Sequence, residues 1–214
     1  LRFLKEASKI GGIYVPEFYK PVYFDSGVLS HFEVLEGAPQ RVRKRIVTDL
    51  DNVPFPLNPI VPSTEVVHDR VNLELFRGCI RGCRFCQAGH TYRPIREKSV
   101  DLLIEQGKAL LKNTGCQDIT LLSLSSSDYR KLPELCDGLL EYCEPRSIGL
   151  SLPSLRADNF SIEIMHRIQK TRKSGLTFAP EAGSQRLRDA INKNVSEEDL
   201  LNTCRLAFEG GWNT

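Results

Sequence analysis

The chain has 214 residues, of which 41% are hydrophobic and 26% charged, and this composition is typical of a globular protein with one good core. Its formal net charge of +2 is too small to indicate nucleic-acid binding by itself, and no apolar run is long enough to predict a membrane partner. The N-terminal stretch carries charges among its apolar residues and has no small-residue cleavage site, which excludes a secretory signal.

The first 70 residues are predicted to form an irregular lead-in segment. A short amphipathic helix is expected from Arg2 to Ser8, ending at a pair of glycines. Prolines are spread through the segment and argue against long helices and interior strands; they include Pro16, Pro21, Pro54, Pro56, Pro59 and Pro62. We therefore predict two regions, a lead-in segment over residues 1–70 and a core domain over residues 71–214.

The core domain alternates between short apolar runs and helical periodicity. The apolar runs predict strands over residues 71–76, 119–124, 148–152 and 176–179. Periodic apolar residues predict helices over residues 97–113, 132–143, 161–169, 184–192 and 196–208. Ser196 and Asp199 have the spacing of a capping box. Trp212 stands where a further strand would begin. The predicted fold class is therefore α/β, a partial barrel of parallel βα units truncated at its C-terminal end.

Three of the seven cysteines lie within eight residues, in the segment RGCIRGCRFCQAG that follows the first predicted strand. Cys79, Cys83 and Cys86 have C-x3-C-x2-C spacing. In a chain without a secretory signal this clustering indicates metal or redox chemistry in a reducing compartment, so we expect a cytoplasmic protein. Ferredoxin-type clusters use four cysteine ligands. Since this loop has three, one iron of a cubane cluster would remain open for a substrate.

Other interpretations of the cysteines and basic residues stay open. A structural zinc site could take its fourth ligand from His90 or Cys116. A fourth protein ligand would equally fit an electron-transfer cluster. The remaining cysteines occur singly and are expected to be small buried hydrophobes: Cys116, Cys136, Cys143 and Cys204. A zinc-stabilised RNA-binding module would need aromatic residues interleaved with the basic clusters over residues 41–45 and 167–173, and neither cluster has them. Whether nucleic acid is a partner stays open.

The cysteine array, with Phe85 immediately before its last cysteine, resembles the signature of the radical S-adenosylmethionine (SAM) superfamily. The resemblance implies a [4Fe-4S] cluster bound by Cys79, Cys83 and Cys86, with the methionyl amino and carboxylate groups of SAM on the open iron. It implies that one electron from the reduced cluster cleaves SAM to methionine and a 5′-deoxyadenosyl radical, which usually abstracts hydrogen from the substrate. It also implies an electron donor such as a flavodoxin or ferredoxin.

The resemblance further implies SAM contacts after each strand. Where many members carry a Gly-Gly-Glu-like motif, this chain has serines and Asp128, and a polar turn is the alternative interpretation. Arg156 is suited to pair with the methionyl carboxylate. Glu181 lies in PEAGS, which resembles a Glu-Ser-Gly-type loop, or is a structural carboxylate near a helix start. The candidate cofactor contacts are Phe85, Ser125, Asp128, Ser151, Ser154, Arg156, Glu181 and Ser184.

The segments YVPEF and PEAGSQRLRDAINK, together with the cysteine segment, resemble a bacterial subgroup in which a cobalamin-binding-type domain precedes the radical domain. That domain would lie upstream of Leu1. Because the chain does not begin with Met, we expect a fragment of a longer polypeptide that is catalytically impaired alone. A related alternative is a methylthiotransferase or another RNA-modifying radical enzyme. Methylthiotransferases normally carry a second cysteine trio before the radical domain, and no cysteine precedes Cys79 here.

Overall fold

The structure, a computed structural model, describes residues 2–171 and 175–212. The chain divides into two compact units, Leu1–Thr48 and Asp49–Thr214. Residues 49–70, predicted as part of the lead-in segment, belong to the second unit. Residues 172–174, which include part of the second basic cluster, lie outside the described residues. In the described part of the chain, no helix combines the length and the apolar character that crossing a membrane requires.

The first unit contains one helix and one hairpin. Helix α1 (Arg2–Ser8) is confirmed. Strands β1 (Tyr19–Tyr23) and β2 (Leu29–Val34) pair antiparallel, a hairpin that the sequence analysis does not predict. Pro21 lies within β1, and it is tolerated because both strands of a two-stranded sheet are edge strands. A small apolar cluster stabilises this unit and includes Val15, Phe18, Tyr19 and Ala38.

The second unit has a parallel sheet with helices, which confirms the predicted α/β class. Its elements in chain order are β3 (Val71–Glu74), β4 (Phe76–Arg77), α2 (Gln87–Thr91), β5 (Arg96–Glu97), α3 (Val100–Thr114), β6 (Asp118–Leu122), α4 (Leu132–Cys143), β7 (Gly149–Ser151), α5 (Ile162–Ile168), α6 (Gln185–Ala190) and α7 (Glu197–Glu209). Strands β3, β6 and β7 form the parallel sheet in that order, and β4 pairs antiparallel with β5. Among the described residues the strands form an open sheet and do not close into a barrel.

One face of the parallel sheet is buried beneath α3 and α4. The side chains at this interface are at most 1% exposed and include Leu73, Leu103, Ile119, Leu121, Leu135, Leu139 and Leu150. Gly107 on α3 permits the close approach, since a Cβ atom there would lie 3.0 Å from Leu139 Cδ2 and 3.2 Å from Ile119 Cδ1. Because successive strand residues point to opposite faces, this packing determines the direction of every side chain in β3 and β6.

Helix boundaries follow local capping signals. Helix α3 starts at Val100, not at residue 97, because Arg96 and Glu97 pair with β4 instead of continuing the helix. It ends at Gly115, whose φ of 74° is the left-handed conformation that glycine favours. The capping box before α7 is confirmed: Asp199 N–H donates to Ser196 Oγ, and Ser196 N–H donates to Asp199 Oδ2.

The predicted fourth strand, over residues 176–179, is wrong as a full strand. The structure has a single parallel bridge there, between Leu155 and Phe178. Strand β7 ends at Ser151, since Pro153 has no N–H to donate and Ser154 has a φ of 61°. Trp212 is buried, and its N–H donates to the Ala207 carbonyl at the end of α7; residues 213–214, where a further strand would continue, lie outside the described residues.

The single cysteines divide into two pairs. Cys136 and Cys143 on α4 are buried, as predicted. Burial raises the pKa of the Cys136 thiol to about 12 and that of the Cys143 thiol to about 11. Cys116 and Cys204 are partly exposed, so the prediction of burial is wrong for them. Cys116 follows the helix-ending Gly115 in a connection at the edge of the sheet, where α3 no longer covers it.

Tyr129 joins the end of β6 to the segment before α3. Its ring stacks with that of Phe76 at 6.4 Å between centroids, and its hydroxyl donates to the Lys98 carbonyl oxygen over 2.8 Å. The side chain is 3% exposed, and burial raises the pKa of Tyr129 to about 12. Ionisation of this hydroxyl is therefore coupled to unfolding at alkaline pH.

Leu139→Ala tests the packing of α4 on the sheet. Leu139 is 0% exposed and packs closely over Gly107 of α3. We therefore expect the free energy of unfolding, measured by urea denaturation, to fall by about 2–5 kcal/mol. Leu201→Ala on α7 is the control, since Leu201 is 62% exposed and its loss should change stability by less than about 0.5 kcal/mol. Equal losses in the two variants would contradict this account of the core.

Tyr129→Phe tests the alkaline coupling. The pKa of a tyrosine in an unfolded chain is about 10, whereas burial in the folded protein raises the pKa of Tyr129 to about 12. In that window the folded state holds the extra proton, so stability falls as pH rises. The phenylalanine variant should lose less stability between these two pH values than the parent protein, measured by urea unfolding. The exposed Tyr92→Phe should follow the parent, and identical slopes for all three proteins would count against the assignment.

Candidate metal centre

The three clustered cysteines lie in one loop, residues 78–86, which we call the cysteine loop. The loop follows β4, at the carboxyl end of β3, and leads into α2. Its base is closed where β4 pairs with β5, Phe76 with Glu97 and Arg77 with Arg96. Gly78, with a φ of 96°, starts the turn, and a Cβ atom there would lie 2.8 Å from the Tyr92 carbonyl oxygen. Only glycine fits this backbone position.

Two of the three sulfur atoms accept backbone hydrogen bonds. Arg81 N–H donates to Cys79 Sγ over 3.5 Å, and Gly89 N–H donates to Cys86 Sγ over 3.3 Å. Gly89 is close in space to both of these cysteines. A Cβ atom at Gly89 would lie 3.5 Å from Cys86 Sγ and 3.9 Å from Cys79 Cβ. Backbone N–H groups directed at sulfur stabilise thiolate charge, and thiolate is the form that binds metal.

The donor set of the cysteine loop fits an iron–sulfur cluster. The three cysteines are free thiols, and a cluster takes one thiolate on each iron. A single zinc ion instead needs ligands that converge to about 2.0–2.3 Å. Within residues 2–171 and 175–212, no group of three or more histidine, cysteine, aspartate or glutamate side chains is close enough to hold one metal ion. Three thiols on one short loop offer one thiolate to each of three irons of a cubane cluster.

The alternative fourth ligands for zinc are His90 and Cys116. His90 Nε2 lies 3.3 Å from the Cys83 carbonyl oxygen, within the cysteine loop. Cys116 precedes β6, whereas the loop follows the carboxyl end of β3, and these strands are parallel. Cys116 therefore lies at the opposite edge of the sheet, where its Sγ is 3.7 Å from Asp69 Oδ1. The topology removes Cys116 as a partner of the cysteine loop.

Arg81, between the first two cysteines, connects the loop to the ends of the next two strands. Its guanidinium makes two hydrogen bonds to Asp128, one of them 2.8 Å from Nε to Oδ2. A third, from Nη1 to Asp158 Oδ2, is 3.0 Å. Asp128 ends the short 3-10 turn after β6, and Asp158 lies in a similar turn after β7. The Arg81 side chain thus attaches the cysteine loop to the ends of β6 and β7.

Arg156 extends this contact into a chain of four alternating charges. Its Nε donates to Asp158 Oδ1 over 2.8 Å, and its Nη2 donates to the Lys193 carbonyl oxygen over 2.7 Å. We call Arg81, Asp128, Asp158 and Arg156 the strand-end network. Its side chains are largely withdrawn from solvent, with 22% exposure for Arg81, 6% for Asp128, 13% for Asp158 and 8% for Arg156.

Pairing shifts the ionisation of the network. Desolvation alone would raise the pKa of Asp128, yet the hydrogen bonds and charge of Arg81 hold the pKa of that carboxyl below its ordinary value. The hydrogen bond to Asp128 raises the pKa of the Arg81 guanidinium, and the nearby Cys79 side chain acts in the same direction. Both partners are therefore charged at neutral pH, and the Arg81 charge interacts with the first cysteine.

The segment that follows α6 supplies a second attachment of the cysteine loop. Asn192 Nδ2 donates to the Gly82 carbonyl oxygen over 2.9 Å and to the Arg81 carbonyl oxygen over 3.3 Å. Arg84 N–H donates to the Ile191 carbonyl oxygen over 2.9 Å. Asn192 has a φ of 55°, a left-handed conformation that asparagine tolerates better than most residues.

The remaining candidate cofactor contacts lie on the segments predicted from the sequence. Ser125 is 3% exposed and precedes the turn that ends at Asp128. Glu181 Oε1 accepts a hydrogen bond from Lys193 Nζ over 3.0 Å. Ser184 caps the start of α6, and Phe85 is 54% exposed. The other two serines stand at the end of β7 and just beyond it, Ser151 and Ser154.

The structure brings the cysteine loop together with Asp128 and Arg156 and adds partners that the sequence analysis missed. These are Arg81, Asp158, Asn192 and Lys193. Arg81 offered a signal, because a charged side chain between two cysteines is placed to act on the site. Asp158 and Asn192 offered none, since they lie 77 and 110 residues from their partners in the loop. Lys193 contacts Glu181 and Arg156, which lie outside the loop.

Comparison with known proteins adds independent findings. The family model of the Radical SAM superfamily matches residues 73–214. Over 139 residues the chain is 38% identical to "Uncharacterized protein MJ0966" of Methanocaldococcus jannaschii, a match that covers 65% of this chain and 30% of that protein. Over 170 residues it is 27% identical to "Putative methylthiotransferase MJ0865" of the same archaeon, covering 75% of this chain and 37% of that protein. The chain thus spans about a third of the length of these curated relatives.

The matched residues contain the whole cysteine loop, the strand-end network and all of the candidate cofactor contacts. They form the larger part of the chain. Their parallel sheet carries the cysteine array at its carboxyl edge, where α/β folds place active sites. The chain belongs to the radical SAM superfamily.

Proposed function

We propose that this chain forms the part of a radical SAM enzyme that binds a [4Fe-4S] cluster through Cys79, Cys83 and Cys86. The observation that carries the proposal is the cysteine loop itself, with three free thiols and backbone N–H groups directed at two of the sulfur atoms. When bound, the reduced cluster supplies the one electron that cleaves SAM to methionine and a 5′-deoxyadenosyl radical, the chemistry that the family resemblance implies. A flavodoxin or ferredoxin is the proposed electron donor.

The residues of the chain hold and shield the thiolates. The β4–β5 pair closes the base of the loop, and Asn192 and Arg81 attach its middle to the rest of the unit. His90 lies against the Cys83 carbonyl, which supports a site with three cysteine ligands and no histidine ligand. A site with three protein ligands leaves a coordination position for a small molecule, as catalytic metal sites do.

We propose that SAM is held by polar groups after the strand ends. Ser125, Ser151 and Ser154 offer hydroxyl groups that both donate and accept hydrogen bonds. The further proposed contacts are Phe85, Glu181 and Ser184. Asp128 and Arg156 remain proposed contacts as well, but both are already engaged in ion pairs, with Arg81 and Asp158. A contact with SAM would compete with these ion pairs.

A second candidate function is methylthio transfer to RNA. It is favoured by the similarity to the protein of M. jannaschii that is named as a methylthiotransferase. A second cysteine trio of the kind expected for that reaction would lie outside residues 1–78, which contain no cysteine. Incubation of the protein with SAM, reductant and RNA, followed by mass spectrometry of the nucleosides, tests it: a methylthio group on a nucleoside supports this reaction, and cleavage of SAM with unchanged nucleosides contradicts it. A cobalamin-type domain before the radical domain stays a prediction.

Single replacements of Cys79, Cys83 and Cys86 by serine test the cluster assignment. Serine is a much poorer iron ligand than thiolate, so each variant should lose most of the iron bound after anaerobic reconstitution. The electron paramagnetic resonance signal of the dithionite-reduced protein should be lost with it. In the parent protein the signal should change when SAM is added, because SAM would bind the open iron directly.

Cys116→Ser is the matched control, since Cys116 is also a partly exposed free thiol but lies at the opposite edge of the sheet. It should keep the iron and the signal of the parent protein. A cluster signal in the parent protein that ignores SAM would favour electron transfer over SAM chemistry. Zinc without iron would overturn the proposed function altogether.

A further inference from the structure

We propose that Arg81 is a positioning residue for the cysteine loop and that its charge, balanced by Asp128, sets the reduction potential of the cluster. This inference rests on the proposed function, because it concerns the cluster that Cys79, Cys83 and Cys86 would hold. It goes beyond it by giving a role to two residues that are not cluster ligands.

Geometrically, Arg81 is held at three points. Its N–H donates to Cys79 Sγ, its carbonyl oxygen accepts from Asn192, and its guanidinium pairs with Asp128 and Asp158. The two carboxylates follow different strands of the parallel sheet, 47 and 77 residues away in sequence. A displacement of the loop from the sheet would break these charge-assisted bonds, which are among the stronger hydrogen bonds of proteins. Arg81 therefore fixes the first two cysteines relative to the sheet.

Other arginines around the loop make different contacts. Arg77 pairs with Glu74, three residues away within the same short stretch, over 2.8 Å. Arg84 donates to the Ala190 carbonyl oxygen, which is a neutral acceptor and not a carboxylate. Arg81 differs from both because its fork-shaped guanidinium joins two carboxylates that come from separate βα connections.

Electrostatically, the strand-end network contains two positive and two negative charges and is therefore neutral as a whole. Its side chains are largely withdrawn from water, so their charges are weakly screened. Removal of either sign leaves an uncompensated unit charge beside the cysteine loop. Nearby charge is one of the factors that set the potential of iron–sulfur clusters. A cluster that gains an electron becomes more negative, so adjacent positive charge favours the reduced state.

If charge sets the reduction potential, removal of a positive charge and removal of a negative charge should shift it in opposite directions. Arg81→Gln removes a positive charge and should shift the reduction potential to a more negative value. Asp128→Asn removes a negative charge, keeps the size of the side chain and leaves Arg81 paired with Asp158, so it should shift the potential to a more positive value. Arg81→Lys keeps the charge but loses the fork, so its potential should stay near that of the parent while iron is released to a chelator several-fold faster.

The measured quantity is the reduction potential of the cluster in the reconstituted protein, monitored by its electron paramagnetic resonance signal. Dithionite adds one electron to each oxidised cluster, and no bond is made or broken. Matched controls come from Arg167 and Asp137, an ion pair between α5 and α4 away from the cysteine loop. Arg167→Gln and Asp137→Asn remove the same charges and should leave both the potential and the rate of iron release unchanged.

Potential shifts of the same sign in Arg81→Gln and Asp128→Asn, or shifts no larger than those of the controls, would overturn the inference. A loop that merely loosens would move both variants in one direction. If Arg81→Gln retains too little iron to measure, the positive shift of Asp128→Asn alone decides the electrostatic step. Failure of the proposed function has a different signature, a parent protein whose cluster signal does not respond to SAM, so the two failures are distinguishable.

Discussion

The ion pairing of Arg81 with Asp128 and Asp158 is the contact on which the geometry of the candidate site depends. The cysteine loop is an irregular connection between β4 and α2, and an unattached loop would lose its three-cysteine arrangement to conformational entropy. The carboxylates are held where they are because β6 and β7 lie in a sheet whose buried face packs against α3 and α4. Core packing thus supports the position of the cysteine loop through the Arg81 guanidinium, together with the bonds that Asn192 and Arg93 donate to the loop.

Stability is a poor explanation for such a network. Removing charges from water costs free energy, and the attraction between them repays that cost only when the geometry is good and the remaining donors are satisfied. Here the Arg81 guanidinium pairs with two carboxylates, and Arg156 also donates to the Lys193 carbonyl oxygen. The network is therefore tolerated in the fold, and its benefit is the fixed position of the loop relative to the strand ends.

The sequence predicted what local signals encode and missed what distant residues decide. Spacing alone placed the cysteine array, α4 and the capping box at Ser196 and Asp199, because each is written within a few residues. The predicted fourth strand forms only a single bridge, because the neighbouring strand β7 ends before Pro153 and the left-handed Ser154. The pairing of Arg81 with Asp158 has no local pattern, as it is decided by which strands the sheet brings together.

The environment of the cysteines explains why iron would be directed to the loop although the chain has seven of them. A metal is bound by thiolate, so a cysteine that keeps its proton does not compete. Burial raises the pKa of Cys136 to about 12 and that of Cys143 to about 11, and both therefore stay protonated thiols at neutral pH. Cys116 and Cys204 are partly exposed, but Cys116 stands at the opposite edge of the sheet from the cysteine loop and Cys204 lies singly on α7. Only the cysteine loop combines several thiols with backbone N–H groups that stabilise negative sulfur, among the residues that the structure describes.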